Sequence, residues 1–175
     1  MFLDESGFLL VPNLKRTWAP RGKTPVHYHL YRQDKVSAIT ALSLSPKRRR
    51  ATLYIRLWTR NITGPMVASF LRQLFRHLRG PVLVLWDRGT IHRHHEVNHL
   101  WVSTPRAHRE FFPAYAPELN PAEFVWAQSD SALANGAPDT LKVLHHRLYQ
   151  TANRLRRSQK LLWACIFASD LPWTR

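Results

Sequence analysis

Acidic residues are scarce in this chain, 11 among 175, so the places where they fall carry information. Three stand out. Asp4 follows the apolar residues 1–3, Asp87 directly follows the apolar run PVLVLW (81–86), and Glu123 lies within AYAPELNPAEFVWAQ (114–128). In open α/β sheets, ligand-binding groups collect at strand ends along one edge. Three carboxylates brought there from distant segments would suit two hard divalent cations, because Mg²⁺ (or Mn²⁺ in its place) prefers oxygen ligands and bridges phosphates. Two such ions about 4 Å apart activate an attacking oxygen and stabilise a leaving one. A blander reading stands beside this one. An Asp after a strand is commonly a turn residue. Glu123 also occupies the third position of a helix that Asn120 caps and Pro121 opens, which is where a capping-box carboxylate sits.

The charge balance narrows the chemistry. Lys and Arg number 26, giving a formal net charge of +15, and 20 of those cations are arginine. Guanidinium groups fork onto phosphate oxygens and stack on bases, so an arginine-rich basic chain points to nucleic acid. Lys47, Arg48, Arg49 and Arg50 form four consecutive cations that read as a hairpin tip touching backbone phosphates, and Arg88 stands beside Asp87. RLRR (154–157) reads as a solvated helix face, and Trp18 in KRTWAPRGK as an exposed ring. The single cysteine, Cys165 in LLWACIF, argues against both a disulfide framework and a cysteine-rich zinc site. His92, His94, His95 and His99 cluster without an evident acid or cysteine to complete a zinc set. No apolar stretch approaches the roughly 20 residues of a membrane span. MFLDESGFLL puts two acids where a secretory leader would be basic, so no membrane association and an intracellular location are expected.

The elements that must position these residues can be read from periodicity. Residues 1–3 read as a short strand ending at Asp4, with FLLVP (8–12) following a turn at Gly7. KVSAITALSL (35–44) and ATLYIRLW (51–58) read as strands joined through SPKRRR. Val67, Phe70, Leu71, Leu74 and Leu78 make a helical stripe between Pro65 and Gly80. PVLVLW reads as a strand buried on both faces, 91–101 as a short helix and EFFPAY (110–115) as another strand. Helices follow from Pro121, along Leu141, Leu144, Leu148, Ala152 and Leu155, and over 159–169. Strands first, then helix–strand alternation, then helices: this order predicts one α/β domain over 1–175.

The motifs themselves resemble a known family. FLDESGFLLVPNLKRTWAPRGKTP is similar to the opening of the catalytic domain of DDE transposases, in the bacterial insertion-sequence branch of the mariner-like superfamily. LVLWDRGTIH resembles that family's second motif, with a His five positions after the Asp, and YAPELNPAEFVW resembles its third. The resemblance spans nearly the whole chain. It implies a ribonuclease H-like fold, a mixed five-stranded sheet with helices on both faces. It carries the catalytic and metal-binding roles onto Asp4, Asp87 and Glu123, and gives His92 a place orienting either phosphate or the Asp87 region. Glu5 and Glu118 fall into supporting roles. The activity implied is cleavage of transposon ends by metal-activated water, then joining of the freed 3′-hydroxyl to target DNA. The implied partners are those DNAs, a second copy of the chain and a helix-turn-helix part, this chain being either a fragment or the partner of a separately encoded one; the setting is the bacterial cytoplasm and nucleoid. A remnant that binds DNA without chemistry is the alternative, and SDSALANG after Trp126 departs from the family in lacking basic residues.

The charge pattern yields a direct test. With about five to eight phosphate contacts, log K for DNA should fall against log salt with a slope of roughly −4 to −7. Replacing Arg48, Arg49 and Arg50 by Ala should flatten that slope by about 2 to 3 if the tip touches phosphate. An unchanged slope would return those residues to a solvated turn.

Overall fold

The computed structural model describes residues 1–10, 15, 16, 18–23, 26, 34–136 and 138–173. Three antiparallel strands come first: β1 (Phe2–Leu9), β2 (Lys35–Leu44) and β3 (Ala51–Trp58). Then α1 (Gly64–His77) leads to β4 (Val82–Trp86), and α2 (His95–Val102) leads to β5 (Ala107–Phe111). Three helices close the chain: α3 (Pro121–Leu133), α4 (Leu141–Arg156) and α5 (Gln159–Phe167). The strands form one mixed sheet in the order β3-β2-β1-β4-β5, with β4 parallel to both β1 and β5.

Alternation along the strands divides the interior in two. Phe2 and Phe8 of β1 point to the face covered by α3, α4 and α5, where Val125, Leu144, Leu148, Leu155 and Leu162 pack. Leu3 points to the other face, with Val67, Leu71 and Leu74 of α1 and Val97 and Leu100 of α2. The helical stripes read from the sequence are the ones buried, and helices cover both faces of the sheet as expected. Among the described residues, no helix is long and apolar enough to cross a membrane.

Three boundaries differ from the sequence reading, each for a physical reason. β1 runs unbroken through Asp4 and Gly7, because every residue from Phe2 to Leu9 finds a partner on β2, with Asp4 opposite Thr40. Tertiary pairing overrides the turn tendency of Gly7; Val11 and Pro12 of the expected second strand lie outside the described residues. The segment 91–101 divides into a 3₁₀ turn, Thr90–Arg93, and α2, because the Nδ1 of His94 accepts the Glu96 N–H at 3.3 Å and starts a new helix. β5 begins earlier than expected and stops after Phe111: the Phe112 N–H still reaches the Trp86 carbonyl at 2.9 Å, and Pro113 has no N–H to continue the ladder.

The register of the central strands sets up the edge where the acids lie. Phe2 stands opposite Leu85 in the parallel β1–β4 pair. Two residues further along each strand, Asp4 and Asp87 fall side by side, and β4 has just ended at Trp86.

The packing of α1 against the start of α2 is tight where α1 begins. A Cβ on the buried Gly64 would lie 2.2 Å from the Cβ of His94, the residue that caps α2. Gly64→Ala should therefore destabilise the protein by about 1–3 kcal/mol in urea unfolding, the usual range for overpacking. An unchanged midpoint would show that the α1–α2 junction gives way freely.

Candidate active site

Asp4 is buried in the middle of β1, only 7% exposed, and its Oδ2 accepts the indole N–H of Trp126 at 2.7 Å. Trp126 lies on α3 one turn beyond Glu123, so both project from the same helix face. Glu123 faces the Asp4 carboxyl, close enough for the two groups to shift each other's protonation. The capping box that its position suggested is not formed. Asn120 caps α3 by accepting the Ala122 N–H at 3.1 Å, while its own N–H donates to the Pro117 carbonyl at 2.9 Å. Glu123 is thus free to face β1. The Nδ2 of Asn120 also donates to the Leu3 carbonyl at 3.3 Å, seating the start of α3 on β1 next to Asp4.

Asp4, Asp87 and Glu123 line one cleft of about 450 Å³, together with Arg88, Gly89, Asn120 and the loop Phe112–Pro117. Tyr115 stands on its lip, fully exposed and with a positive φ of 58°, a conformation uncommon for a bulky residue. Burial pushes the Asp4 carboxyl up to about 8, and the negative charge of Glu123 adds to this against the Trp126 hydrogen bond. Burial also raises Glu123, with Asp87 contributing. Asp87 moves the other way: its hydrogen bond to His92 lowers it against a smaller effect of burial, helped by the Gly89 N–H. Burial alone would lower His92, but hydrogen bonds from its ring to Asp87 and Glu5 outweigh this and raise it to about 10. The cleft therefore carries more negative charge than its own cations balance, and protons partly make up the difference. An all-oxygen donor set with excess negative charge fits a hard divalent cation, and Asp4, Asp87 and Glu123 are the residues that could hold one.

The other expected residues divide by place. Arg88 lines the cleft, exposed, with its guanidinium over Phe111 at 5.9 Å. His92 is 2% exposed, with one ring nitrogen on Asp87 and the other on Glu5. It offers nothing to a phosphate; of its two expected roles, the geometry fits orientation of Asp87. Lys47, Arg48, Arg49 and Arg50 are exposed as expected, but the fold carries them away from the acids. β2 passes Asp4 at Thr40 and runs on to Leu44, so the tip starts about 13 Å along the strand, past the N-terminal end of β1. Arg48 packs there over Trp173 at 5.9 Å. Trp18 is fully exposed. In RLRR, Arg156 is not merely solvated, since its Nε donates to the Leu53 carbonyl of β3.

Sequence reasoning missed two supporting groups. Trp126 sits in an apolar run and is core, but its N–H also serves Asp4; Gly89 carries no side chain to draw notice, and its N–H serves Asp87 at 2.9 Å. The histidine cluster does have an acid beside it: ligand atoms of His94, His95 and Glu96 lie within 4.8 Å of one another. Nδ1 of His94 is spent accepting the Glu96 N–H, so its proton sits on Nε2 and the ring has no lone pair left for a metal.

A family model of DDE superfamily endonucleases matches residues 1–144. The chain belongs to that superfamily. No curated protein matches it. The Mos1 transposase paired-end complex with left transposon end is similar in structure, with a TM-score of 0.69 at 18% identity, over 94% of this chain and 50% of that one. The catalytic domain of Mos1 mariner transposase gives 0.65 at 16% identity, over 94% of this chain and 74% of that one. A simian T-cell lymphotropic virus intasome gives 0.53 at 19% identity, over 94% and 62%. The fold is thus the ribonuclease H-like fold of transposase and integrase catalytic domains. The chain spans about half the length of the full Mos1 transposase chains it resembles.

The raised Asp4 pKa has a consequence for the metal-free protein. Its folded value, about 8, exceeds the ordinary 3.8, so folding favours the protonated form; that contribution is complete below pH 4 and is lost as pH rises through 8. His92, raised from 6.5 to about 10, acts in the same direction at higher pH. The melting temperature in chelator should therefore fall from pH 5 to pH 9. Asp4→Asn should flatten the lower part of that fall, and a parent whose stability rises over this range would contradict the burial of a protonated Asp4.

Proposed function

We propose that this chain is the catalytic domain of a DDE transposase that cleaves DNA strands and transfers the freed ends, using divalent cations held by Asp4, Asp87 and Glu123. The observation that carries the reading is the convergence of these three acids, from β1, the end of β4 and the start of α3, on one cleft. The family supports it. So do the neighbouring structures, which include Mos1 as a paired-end complex with Mn and as a strand transfer complex. Two ions of Mg²⁺ or Mn²⁺, when bound, would supply activation of the attacking oxygen and stabilisation of the leaving one.

The chain's own residues do the rest. The Trp126 N–H fixes Oδ2 of Asp4, and Asp4 and Glu123, both raised by burial, would release protons on becoming ligands. Asn120 holds the start of α3 against β1, so Glu123 keeps its distance from Asp4. Arg88, the one cation lining the cleft among the described residues, is placed to meet a backbone phosphate. DNA ends and target are the proposed substrates, a separately encoded helix-turn-helix part would read the ends, and a pair of chains would bring two ends together.

A thermal-shift titration and a nicking assay on supercoiled plasmid test this together. Mn²⁺ should raise the melting temperature in step with its excess over the dissociation constant. Asp87→Asn and Glu123→Gln should leave the metal-free protein as stable or more so, cancel most of that rise and abolish nicking. A parent indifferent to both cations well into the millimolar range would sink the proposal.

A further inference from the structure

Glu5 lies outside the cleft. Neighbours on a strand project to opposite faces, so Glu5 points away from Asp4 and toward the side of the sheet that α1 and α2 cover. It nevertheless reaches Asp87, through His92. The Nε2 of His92 is 3.1 Å from both carboxylate oxygens of Glu5. Its Nδ1 is 2.9 Å from Oδ1 of Asp87 and 3.1 Å from the Asp87 carbonyl. Carbonyl and carboxylate oxygens only accept, so both ring nitrogens donate and the ring has no lone pair to offer. The ring cannot swing. It stacks flat on Trp86, with centroids 4.1 Å apart and planes 9° off parallel.

Asp87 needs such a hold. It stands just past the last ladder residue of β4 and its side chain is 61% exposed, so sheet packing does not choose its rotamer. Oδ1 receives the Gly89 N–H at 2.9 Å and stands 2.9 Å from His92 Nδ1 as an ion pair, while the Nδ1–H itself donates to the Asp87 carbonyl. Among the described residues no donor reaches Oδ2. Gly89 must come close to do this: a Cβ there would lie 3.1 Å from Oδ1 and 3.4 Å from the His92 ring.

We propose that Glu5 and His92 form a positioning pair for Asp87: Glu5 holds the His92 ring, the ring pins Oδ1, and Oδ2 is left as the oxygen that meets a cation. The part that concerns a cation rests on the proposed function; the pinning does not. Supporting groups of this kind are worth about 10- to 100-fold in metal affinity. The alternative is that Glu5 and His92 only satisfy one another as a buried pair, with no effect on the cleft.

Glu5 separates these readings, because it touches neither Asp87 nor the cleft. In the full chain, Mn²⁺ affinity by thermal shift and electron paramagnetic resonance should fall about 10-fold or more in Glu5→Ala. It should stay close to the parent's in Glu5→Gln, whose amide oxygen still accepts the Nε2–H. Equal affinity in Glu5→Ala and parent would overturn the proposal. So would a Glu5→Gln as weak as Glu5→Ala, since charge and not position would then be what Glu5 supplies. A metal-free readout stands apart from the function. Nitrogen-15 spectra of the imidazoles, assigned with His92→Gln, should show two hydrogen-bonded ring N–H groups on His92. Asp87→Asn should move the Nδ1 signal, and Glu5→Ala should release the Nε2 proton to solvent exchange. A parent that ignores Mn²⁺ but gives these spectra would defeat the proposed function and leave the pinning standing; a His92 ring with one bare nitrogen defeats the pinning itself.

Discussion

A carboxylate buried in the central strand of the sheet, beside two others, is the constraint on which the rest of this molecule depends. Like charges about 4 Å apart cost on the order of 4 kcal/mol per pair at an effective dielectric near 20, before any relaxation. Asp4 cannot escape to solvent, because its strand is paired with β2 along its whole length. The fold answers in three ways. Trp126 donates to Asp4, burial pushes Asp4 and Glu123 toward the protonated form, and a cationic His92 stands between Asp87 and Glu5. Trp126 and Glu123 come from α3, and Asp87 and His92 from the end of β4 and the turn after it, which is why β1, β4, α3 and that turn must meet at one level of the sheet.

What was legible in the sequence follows from how local each signal is. The limits of β2 and β3 could be read because their patterns are bounded by turn residues, and the α1 stripe because its apolar period is unbroken. The three acids could be found because acids are few and these stand at strand and helix boundaries. Whether Glu123 caps or aims could not be decided locally, since both outcomes begin with Asn120 and Pro121. It is decided by the 3₁₀ turn Pro117–Leu119, which takes up the Asn120 N–H that a capping box would need. The unbroken course of β1 was hidden by Gly7, whose turn tendency yields to pairing with β2. The Glu5–His92 contact joins residues 87 apart in sequence, and no periodicity or spacing reports it.

The positive charge shows the same division. Composition reveals how many cations there are, and only the fold reveals where they stand. Lys47–Arg50 project from the end of the β2–β3 hairpin, past the N-terminal end of β1, whereas Arg88 faces the cleft. A polyanion engaging both would have to extend along the sheet. Non-specific attraction and local contact at the acids are therefore separable properties, carried by different arginines.

Asn120, Glu123 and Trp126 recur at intervals of three, which places them in a row along one side of the start of α3. Asn120 donates to the Leu3 carbonyl, Glu123 faces the Asp4 carboxyl and Trp126 donates to Oδ2 of that carboxyl. The acid of the set is thus flanked on its own helix by two neutral donors that grip the same short piece of β1. Pro117 and Pro121 restrict the backbone on either side of Asn120, so the helix begins at one place only. Glu123 also lies in the first turn of α3, where the partial positive charge of unsatisfied N–H groups favours a carboxylate. A proline-laden loop followed by an apolar helix is what this geometry demands: the loop fixes the start, the row of three fixes the rotation, and the remaining apolar residues press the helix onto the sheet.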